Sequence, residues 1–559
     1  MESLQTPLEL FYRCEKERAN SVWLHQPNQG QWDTYTWELA GNYVRRLAAA
    51  LTEMNLPKGS KIAILSKNSV YWYFSDLAIM MSGHVSIPAF TTMDAKGTRF
   101  ILENSETQVM FVGPSDNWDA VAGSIPEHIQ IISLPGISID GCYATMESLI
   151  EQHSPYTEDA KPNPNDLCTI IYTSGTTGQP KGVMHSHSSL AAAGKTMVST
   201  YNTSADDRFL SFLPLSHIFE RAVFMQSLAS GGQVYFNESI DSFPGDLVHC
   251  RPTRFFAPPR IWQKFQQAIL AKLGEEKLSA MLANETTAKQ LAAMVQQTLG
   301  LDQAEIRITG GGQTPLELYD WYRQLGMPLF DVYGMTEAAP AATNLPQANK
   351  EGTVGRAVAG AHIKIAENGE ILTRTPCMMM GYYKNPKKTQ EDLAGGWMHT
   401  GDIGKLDADG YLKVTGRIKE IFKTAKGKYV APTKIENLMF GIPFVEHLCL
   451  TGSGLPAPVL IVNLSAIVSP PSTSKLKAIL QAKLSSANEQ LEKHERVSHI
   501  LVTDEPWTIN NSLLTHTTKV KRQQVEAKYT DKVMALCDQF PFETVVMEST
   551  IENTSELTS

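Results

Sequence analysis

No Cys-x-x-Cys pair occurs among the seven cysteines of this 559-residue chain, which stand at positions 14, 142, 168, 250, 377, 449 and 537. An odd, irregularly spaced set argues against a disulfide framework or a zinc site and fits a reducing cytoplasm. Basic charge is also in short supply. The 49 Lys and Arg are outnumbered by 58 Asp and Glu, for a formal net charge of −9. A nucleic-acid partner, which needs a clustered basic footprint, is not expected. An anionic ligand remains compatible, because local Gly, hydroxyl and Lys groups bind phosphate inside an acidic protein. Long hydrophobic runs are missing as well. The longest mostly apolar stretch, 448–468, is broken by Gly452, Gly454, Pro456, Pro458 and Asn463. It is expected to form two strands around a turn, so no transmembrane segment is expected, while peripheral contact with a membrane stays open. The first residues lack a basic-then-apolar pattern, and no signal peptide is expected. Internal repeats and low-complexity tracts are absent too.

What is present is ample apolar material, 42% of residues, in a chain too long for one core, so two or more domains are expected. Residues 36–55 carry Leu39, Tyr43, Leu47, Ala50, Leu51 and Met54 at helical spacing, with Thr36 as a candidate N-cap. Short apolar runs at 61–65, 85–88, 109–112 and 129–133 predict strands, and 71–81 predicts a helix. This alternation points to the α/β class with parallel-type sheets. After a loop at 161–166, residues 167–172 read as a buried strand that runs straight into a Gly-rich loop. Residues 262–300, rich in Ala, Gln and Leu, read as helices, and from 351 the texture turns to short strands and Gly turns. The predicted division is a large domain at 1–416 and a smaller one at 417–559, whose last polar residues are expected to fray.

The loop is Tyr172-Thr-Ser-Gly-Thr-Thr-Gly-Gln-Pro-Lys-Gly182. Thr173, Ser174, Gly175, Thr176, Thr177 and Gly178 put hydroxyls and bare backbone N–H groups where phosphate oxygens can be surrounded, and Lys181 adds a compact positive charge. It is not a Walker loop, since Pro180 precedes the lysine and Gly182 follows it. Taken alone, such a cluster reads equally well as a polar strand-to-turn loop. The whole string, however, resembles the signature loop of the adenylate-forming superfamily: acyl-CoA synthetases, firefly luciferase and the adenylation domains of peptide synthetases.

Further segments follow in that family's order, and the resemblance covers residues 36 to 525. Thr309-Gly-Gly-Gly-Gln-Thr-Pro315 resembles its Gly-rich segment beside adenine, and implies contacts from Gly311, Gly312 and Gln313. Asp331-Val-Tyr-Gly-Met-Thr-Glu337 resembles its Tyr-Gly-x-Thr-Glu motif. There Asp331, Tyr333, Gly334 and Met335 would border the nucleotide, Thr336 would offer a hydroxyl to phosphate, and Glu337 would be a hard oxygen ligand for Mg²⁺. Trp397-Met-His-Thr-Gly-Asp402 implies that Asp402 accepts hydrogen bonds from the ribose hydroxyls, with Arg417 alongside. Gly416-Arg-Ile-Lys-Glu-Ile-Phe-Lys-Thr424 resembles the interdomain hinge, centred on Lys419.

Phe212-Leu-Pro-Leu-Ser-His-Ile-Phe-Glu-Arg221 is most similar to long-chain fatty acid–CoA ligases, as is 423–432. His217 and Phe219 become candidates for the wall of the acid pocket, although on residue type alone His217 also reads as a core histidine. Leu514-Thr-His-Thr-Thr-Lys-Val-Lys-Arg522 resembles the family's segment bearing the catalytic lysine. It implies Lys519, with Lys521 as the alternative register. The fold implied is a large domain of two parallel-type sheets with helices and a small distorted β-barrel, followed by a small mobile α+β domain. The implied catalytic set is Lys519, Thr336 and Glu337. The implied reaction uses ATP, Mg²⁺, a fatty acid and coenzyme A to make acyl-AMP and then acyl-CoA, in the cytoplasm or at the inner face of a membrane. The alternatives are transfer to an acyl carrier protein and, from another class, a non-catalytic binding protein. A monomer and a homodimer both fit.

Overall fold

The computed structural model describes residues 5–173, 179–465, 468, 470–515 and 518–551. Its largest sheet has eight strands. Strands Leu167–Thr173, Val85–Ala89, Lys61–Leu65, Thr107–Val112, Gln130–Ser133 and Ala144–Thr145 lie parallel in that order. Two antiparallel strands, Lys181–Ser186 and Gly381–Tyr382, extend it beyond Leu167–Thr173. The apolar strand runs expected at 61–65, 85–88 and 109–112 are therefore the centre of this sheet. Such continuous runs suit strands covered on both faces.

The covering helices follow from their own patterns. Helix Trp37–Glu53 is capped by the Thr36 hydroxyl, which accepts from the Leu39 N–H. It buries Trp37, Ala40, Val44, Leu47 and Leu51 on one stripe. Helix Val70–Met81 is apolar apart from Ser75 and Asp76, and every residue except Tyr71 is buried, as expected of an element enclosed between layers. Helices His187–Tyr201 and Ile218–Ser230 cross closely at Gly194, where a Cβ would stand 2.2 Å from the Met225 carbonyl oxygen. Only glycine allows that approach.

A second sheet has parallel strands Arg254–Ala257, Ile306–Gly310 and Phe330–Tyr333, then two short antiparallel ones. A third carries Arg208–Ser211, Gln233–Phe236 and Val22–Asn28 in parallel with an antiparallel hairpin strand, Gln31–Thr36. Residues 259–298 form three helices, as the composition implied. The small barrel expected from 351 onward is an antiparallel half-barrel of His362–Ile365, Glu370–Arg374, Met398–Leu406 and Leu412–Arg417.

Beyond residue 421, a separate mixed sheet of Val445–Thr451, Val459–Leu464, His499–Thr503 and Thr544–Met547 packs against helices Thr473–Glu489 and Arg522–Gln539. The broken apolar stretch at 448–468 is thus two strands, not a span. Two hydrophobic cores are drawn wholly from this part of the chain. Polar contacts join it to the larger part. Arg260 is ion-paired with Glu446, Gln267 donates to the Pro443 carbonyl at 3.3 Å, and Lys483 meets Glu317 at 2.7 Å. Among the described residues no helix is long and apolar enough to cross a membrane.

Candidate active site

Parallel strands in α/β sheets leave their ligand crevice at the carboxyl ends, and here each motif begins where such a strand stops. Leu167–Thr173 runs into the Gly-Thr-Ser loop, Arg208–Ser211 into the His217 segment, Ile306–Gly310 into Gly311, and Phe330–Tyr333 into Gly334. The half-barrel adds Asp402 and Arg417 from paired strands. Their described residues open on one cleft of about 2130 Å³. Thr173, Lys181, His217, Phe219, Gly311, Gly312, Gln313, Asp331, Tyr333, Gly334, Met335, Thr336, Glu337, Asp402, Arg417, Lys419 and Lys519 line it together. Ser174, Gly175, Thr176, Thr177 and Gly178 lie outside the described residues.

One end of the cleft is suited to a nucleoside. Gly311 holds φ at +77° and nothing lies within 4 Å of where its Cβ would be, so bare backbone faces open space fit for a flat ring. Gly334 is held for the opposite reason, since a Cβ there would press to 3.0 Å on Ala339. The Asp402 carboxylate receives the Tyr333 hydroxyl at 2.7 Å on one oxygen and Arg417 Nε at 2.8 Å on the other. Burial and that carboxylate together keep the Tyr333 hydroxyl protonated. Asp331 lies at the same end, but its carboxyl is turned to the Tyr319 and Thr314 hydroxyls, and burial pushes its pKa up. Thr336 is fixed by its carbonyl, which takes a 2.8 Å hydrogen bond from His185 Nε2. Burial lowers the His185 pKa to about 4, which keeps that ring neutral.

Next to it lies a charged cluster. The Tyr382 hydroxyl reaches Glu337 Oε1 at 2.8 Å and Asp392 Oδ2 at 3.0 Å. Lys181 stands over the Tyr382 ring at 5.0 Å. Burial depresses the Lys181 pKa, opposed by the charges of Asp392 and Glu337. Burial raises that of Glu337. The donor set is all oxygen, without sulfur or imidazole. That suits Mg²⁺, which takes one or two carboxylates and completes its shell with water and phosphate.

Lys519 comes from the opposite side. The turn bearing it closes through the Leu514–Val520 bridge and the bond from Thr515 N–H to the Lys519 carbonyl at 2.7 Å, with Thr518 at φ +57°. Lys519 meets solvent inside the cleft. Crowding by the surrounding protein and the nearby Arg417 guanidinium still hold its ammonium below the usual lysine range. Its charge is also felt at His217, whose pKa falls to about 4, chiefly through burial. The Lys519 charge is thus coupled both to the Asp402–Arg417 pair and to His217, and all four residues line the cleft. Lys521, the N-cap residue of helix Arg522–Gln539, lines the same cleft.

His217 is half-buried. It caps helix Ile218–Ser230, with Nδ1 accepting from the Phe219 N–H at 3.2 Å, and it faces the cleft. Phe219 meets Phe256 edge-on at 6.1 Å, and Met197, Tyr201 and Phe212 continue this apolar wall.

Residues 11–383 match the family model of the AMP-binding enzyme, and residues 419–541 match that of the AMP-binding enzyme C-terminal domain. The chain belongs to the AMP-binding enzyme family. Within it, a long-chain fatty acid–CoA ligase of Gallus gallus is 27% identical over 645 aligned positions, 99% of this chain and 83% of its own. A long-chain fatty acid–CoA ligase of Mycobacterium tuberculosis is 27% identical, covering 94% of this chain and 96% of its own. The fatty acyl-CoA synthetase A of Dictyostelium discoideum is 29% identical, covering 90% and 85%. Two solved structures share the fold. An anthranilate CoA ligase with anthranoyl-AMP has a TM-score of 0.79 at 20% identity, covering 96% of this chain and 99% of its own. The adenylation domain of a carboxylate reductase from Mycobacterium chelonae scores 0.82 at 22%, covering 96% and 92%.

Three features of this AMP-binding enzyme escaped the sequence reading. Tyr382, Lys388 and Asp392 join Glu337 and Lys181 from a segment that no motif singled out. The Lys388–Asp392 spacing was the available signal, since residues four apart share a helix face. Asp76 and Arg221, both fully buried, pair at 2.6 Å. Glu220 beside them is buried enough to raise its pKa to about 8. The Glu-Arg of the His217 segment was visible, but its partner on helix Val70–Met81 was not.

Proposed function

We propose that this enzyme activates a long-chain fatty acid with ATP to acyl-AMP and transfers the acyl group to coenzyme A, releasing AMP and pyrophosphate. Lys519 carries the proposal: it lines the cleft, and its charge is coupled both to a nucleoside end, marked by Asp402 and Arg417, and to an acid end, marked by His217.

A carboxylate is a poor acyl donor because oxide would have to leave. Attack by a carboxylate oxygen on the α-phosphorus of ATP forms a mixed anhydride and breaks the bond to pyrophosphate. Charge gathers on the phosphate oxygens, so placed cations supply the main catalytic help. Lys519 holds the carboxylate and α-phosphate together. Lys181, with the loop 173–178, receives the β- and γ-phosphates, Asp402 takes the ribose hydroxyls, and Tyr333, Gly311, Gly312 and Gln313 enclose the base. Mg²⁺ held by Glu337 would neutralise phosphate charge there. The apolar wall at Phe219, Phe256 and Met197 supports an aliphatic acid.

The unit from 417 onward carries Lys519. In this reading it turns about Lys419, withdrawing Lys519 so that the coenzyme A thiol can attack the anhydride. Lys419→Pro should then stall acyl-CoA release while ATP–pyrophosphate exchange continues; an unchanged release rate counts against the hinge.

The test of the function is AMP release by the purified protein, using ATP, Mg²⁺ and an acid series from acetate to oleate. Coenzyme A and an acyl carrier protein are offered as alternative thiols. Long acids with coenzyme A are expected to win. Transfer to the carrier alone would move the acceptor, and no AMP with any acid would reject the activity.

A further inference from the structure

The charged end of the cleft holds a lysine that the mechanism above does not use. Helix Pro386–Asp392 begins at Asn385, whose side-chain oxygen accepts the Lys388 N–H at 3.1 Å. The Thr389 hydroxyl oxygen receives the Tyr382 N–H at 2.8 Å. The turn between strand Gly381–Tyr382 and this helix is thereby pinned, and it presents Tyr382, Lys388 and Asp392 to the same cleft wall as Lys181 and Glu337. Lys388 Nζ rests on Asp392 Oδ1 at 2.6 Å, while the other oxygen of Asp392 shares the Tyr382 hydroxyl with Glu337.

An i, i+4 ion pair that merely supports a helix lies open to water, as Arg99 and Glu103 do, with side chains 57% and 52% exposed. Lys388 and Asp392 are only 26% and 15% exposed, and both line the cleft. The Lys388 charge is also felt at Lys181. Like charges brought together in one crevice repel, and the arrangement is stable only beside anions. Asp392, Glu337 and the more exposed Glu391, 3.5 Å from Lys388 Nζ, are anions within this chain, and a bound polyphosphate would supply more.

We propose that Lys388 is a second lysine of the leaving-group subsite, which exchanges part of its contact with Asp392 for a pyrophosphate oxygen beside Lys181 and Glu337. The assignment rests on the ATP-dependent reading given above. Lys388 would hold the β- and γ-phosphates and take no part in binding AMP, which lacks them.

Inhibition by pyrophosphate and by AMP, measured on the full chain with Mg²⁺ present, tests this, together with calorimetric binding of each. Lys388→Met should weaken pyrophosphate by about tenfold or more, the usual scale of one charge-assisted contact, and change AMP by less than about twofold. Lys388→Arg should recover most of the loss, and Lys387→Met, on the exposed side of the same turn, should leave both constants unchanged. Equal losses for AMP and pyrophosphate, or unchanged pyrophosphate binding in Lys388→Met, overturn the assignment and leave the ATP-dependent reading standing. A wild-type protein that binds neither ligand overturns both.

Discussion

The two ends of the cleft handle charge in opposite ways. At the phosphate end the charges stand at the surface of the cleft and are tied to one another: Lys181 over Tyr382, Tyr382 on Glu337 and Asp392, Asp392 on Lys388. At the acid end the charges are withdrawn. Asp76 and Arg221 pair out of reach of water, Glu220 is buried beside them, and the face left to the ligand is Phe219, Phe256 and the edge of His217. Partly buried, mutually held charges that line the cleft suit a ligand that arrives highly charged and must be exchanged. Charges kept behind an apolar wall suit a ligand whose bulk is hydrocarbon. In that setting a paired buried charge holds the wall in place, whereas an unpaired one would be costly.

Lys519, proposed to hold the carboxylate and the α-phosphate together, should give the largest effect when removed. Lys519→Ala should lower ATP–pyrophosphate exchange by roughly 10²–10³-fold, while conversion of supplied acyl-adenylate to thioester persists. Lys521→Ala should stay within a few-fold. Normal exchange in the first variant and loss in the second would move the role to Lys521. Asp402→Ala comes next, because it strips partners from Tyr333 and Arg417 and removes the acceptor proposed for ribose. The KM for ATP should rise by about ten- to a hundredfold, matching one or two charged hydrogen bonds, with little change in the KM for the acid. Equal changes in both would blur the distinction between the ends.

The buried carboxyl of Glu220 predicts a dependence of stability on pH. The folded-state pKa of Glu220 is raised to about 8 by burial, from an ordinary value of 4.5. Its contribution is complete below 4.5 and is lost as pH rises toward 8, because the unfolded chain releases the proton that the folded chain retains. The slope is at most about 1.4 kcal/mol per pH unit. Glu220→Gln should flatten the fall in Tm between pH 5 and 8, and an identical pH dependence in both proteins would show that Glu220 is already ionised. The smallest effect is expected at the wall itself. Phe219→Ala should weaken a long acid by about 1 kcal/mol, read as a few-fold rise in its KM with the KM for ATP unchanged.

Much of the architecture is set by patterns local in the chain. The Thr36 cap, the stripe of helix Trp37–Glu53 and the apolar runs of the central strands depend on near neighbours and on periodicity, so the residues alone announce them. The same holds for the Gly-rich strand ends, because glycine is needed wherever backbone must come close to a neighbour or a ligand. The order of the motifs therefore determined the family and the nucleotide chemistry.

Pairings across hundreds of residues were decided only by the tertiary structure. Asp402 meets Arg417 because two half-barrel strands lie in that register, and Tyr382 meets Glu337 because Gly381–Tyr382 adds to the edge of the largest sheet. Lys388 joins Lys181 by the same route, and Asp76 meets Arg221 because two helices cross. Lys519 and Lys521 both line the cleft, the first on the turn closed by the Leu514–Val520 bridge and the second at the start of the helix that follows, so the choice between them is left to the exchange assay. Side-chain type states what a residue can do, and periodicity states which face it lies on. Its partner is fixed by where the chain returns, and no local pattern encodes that.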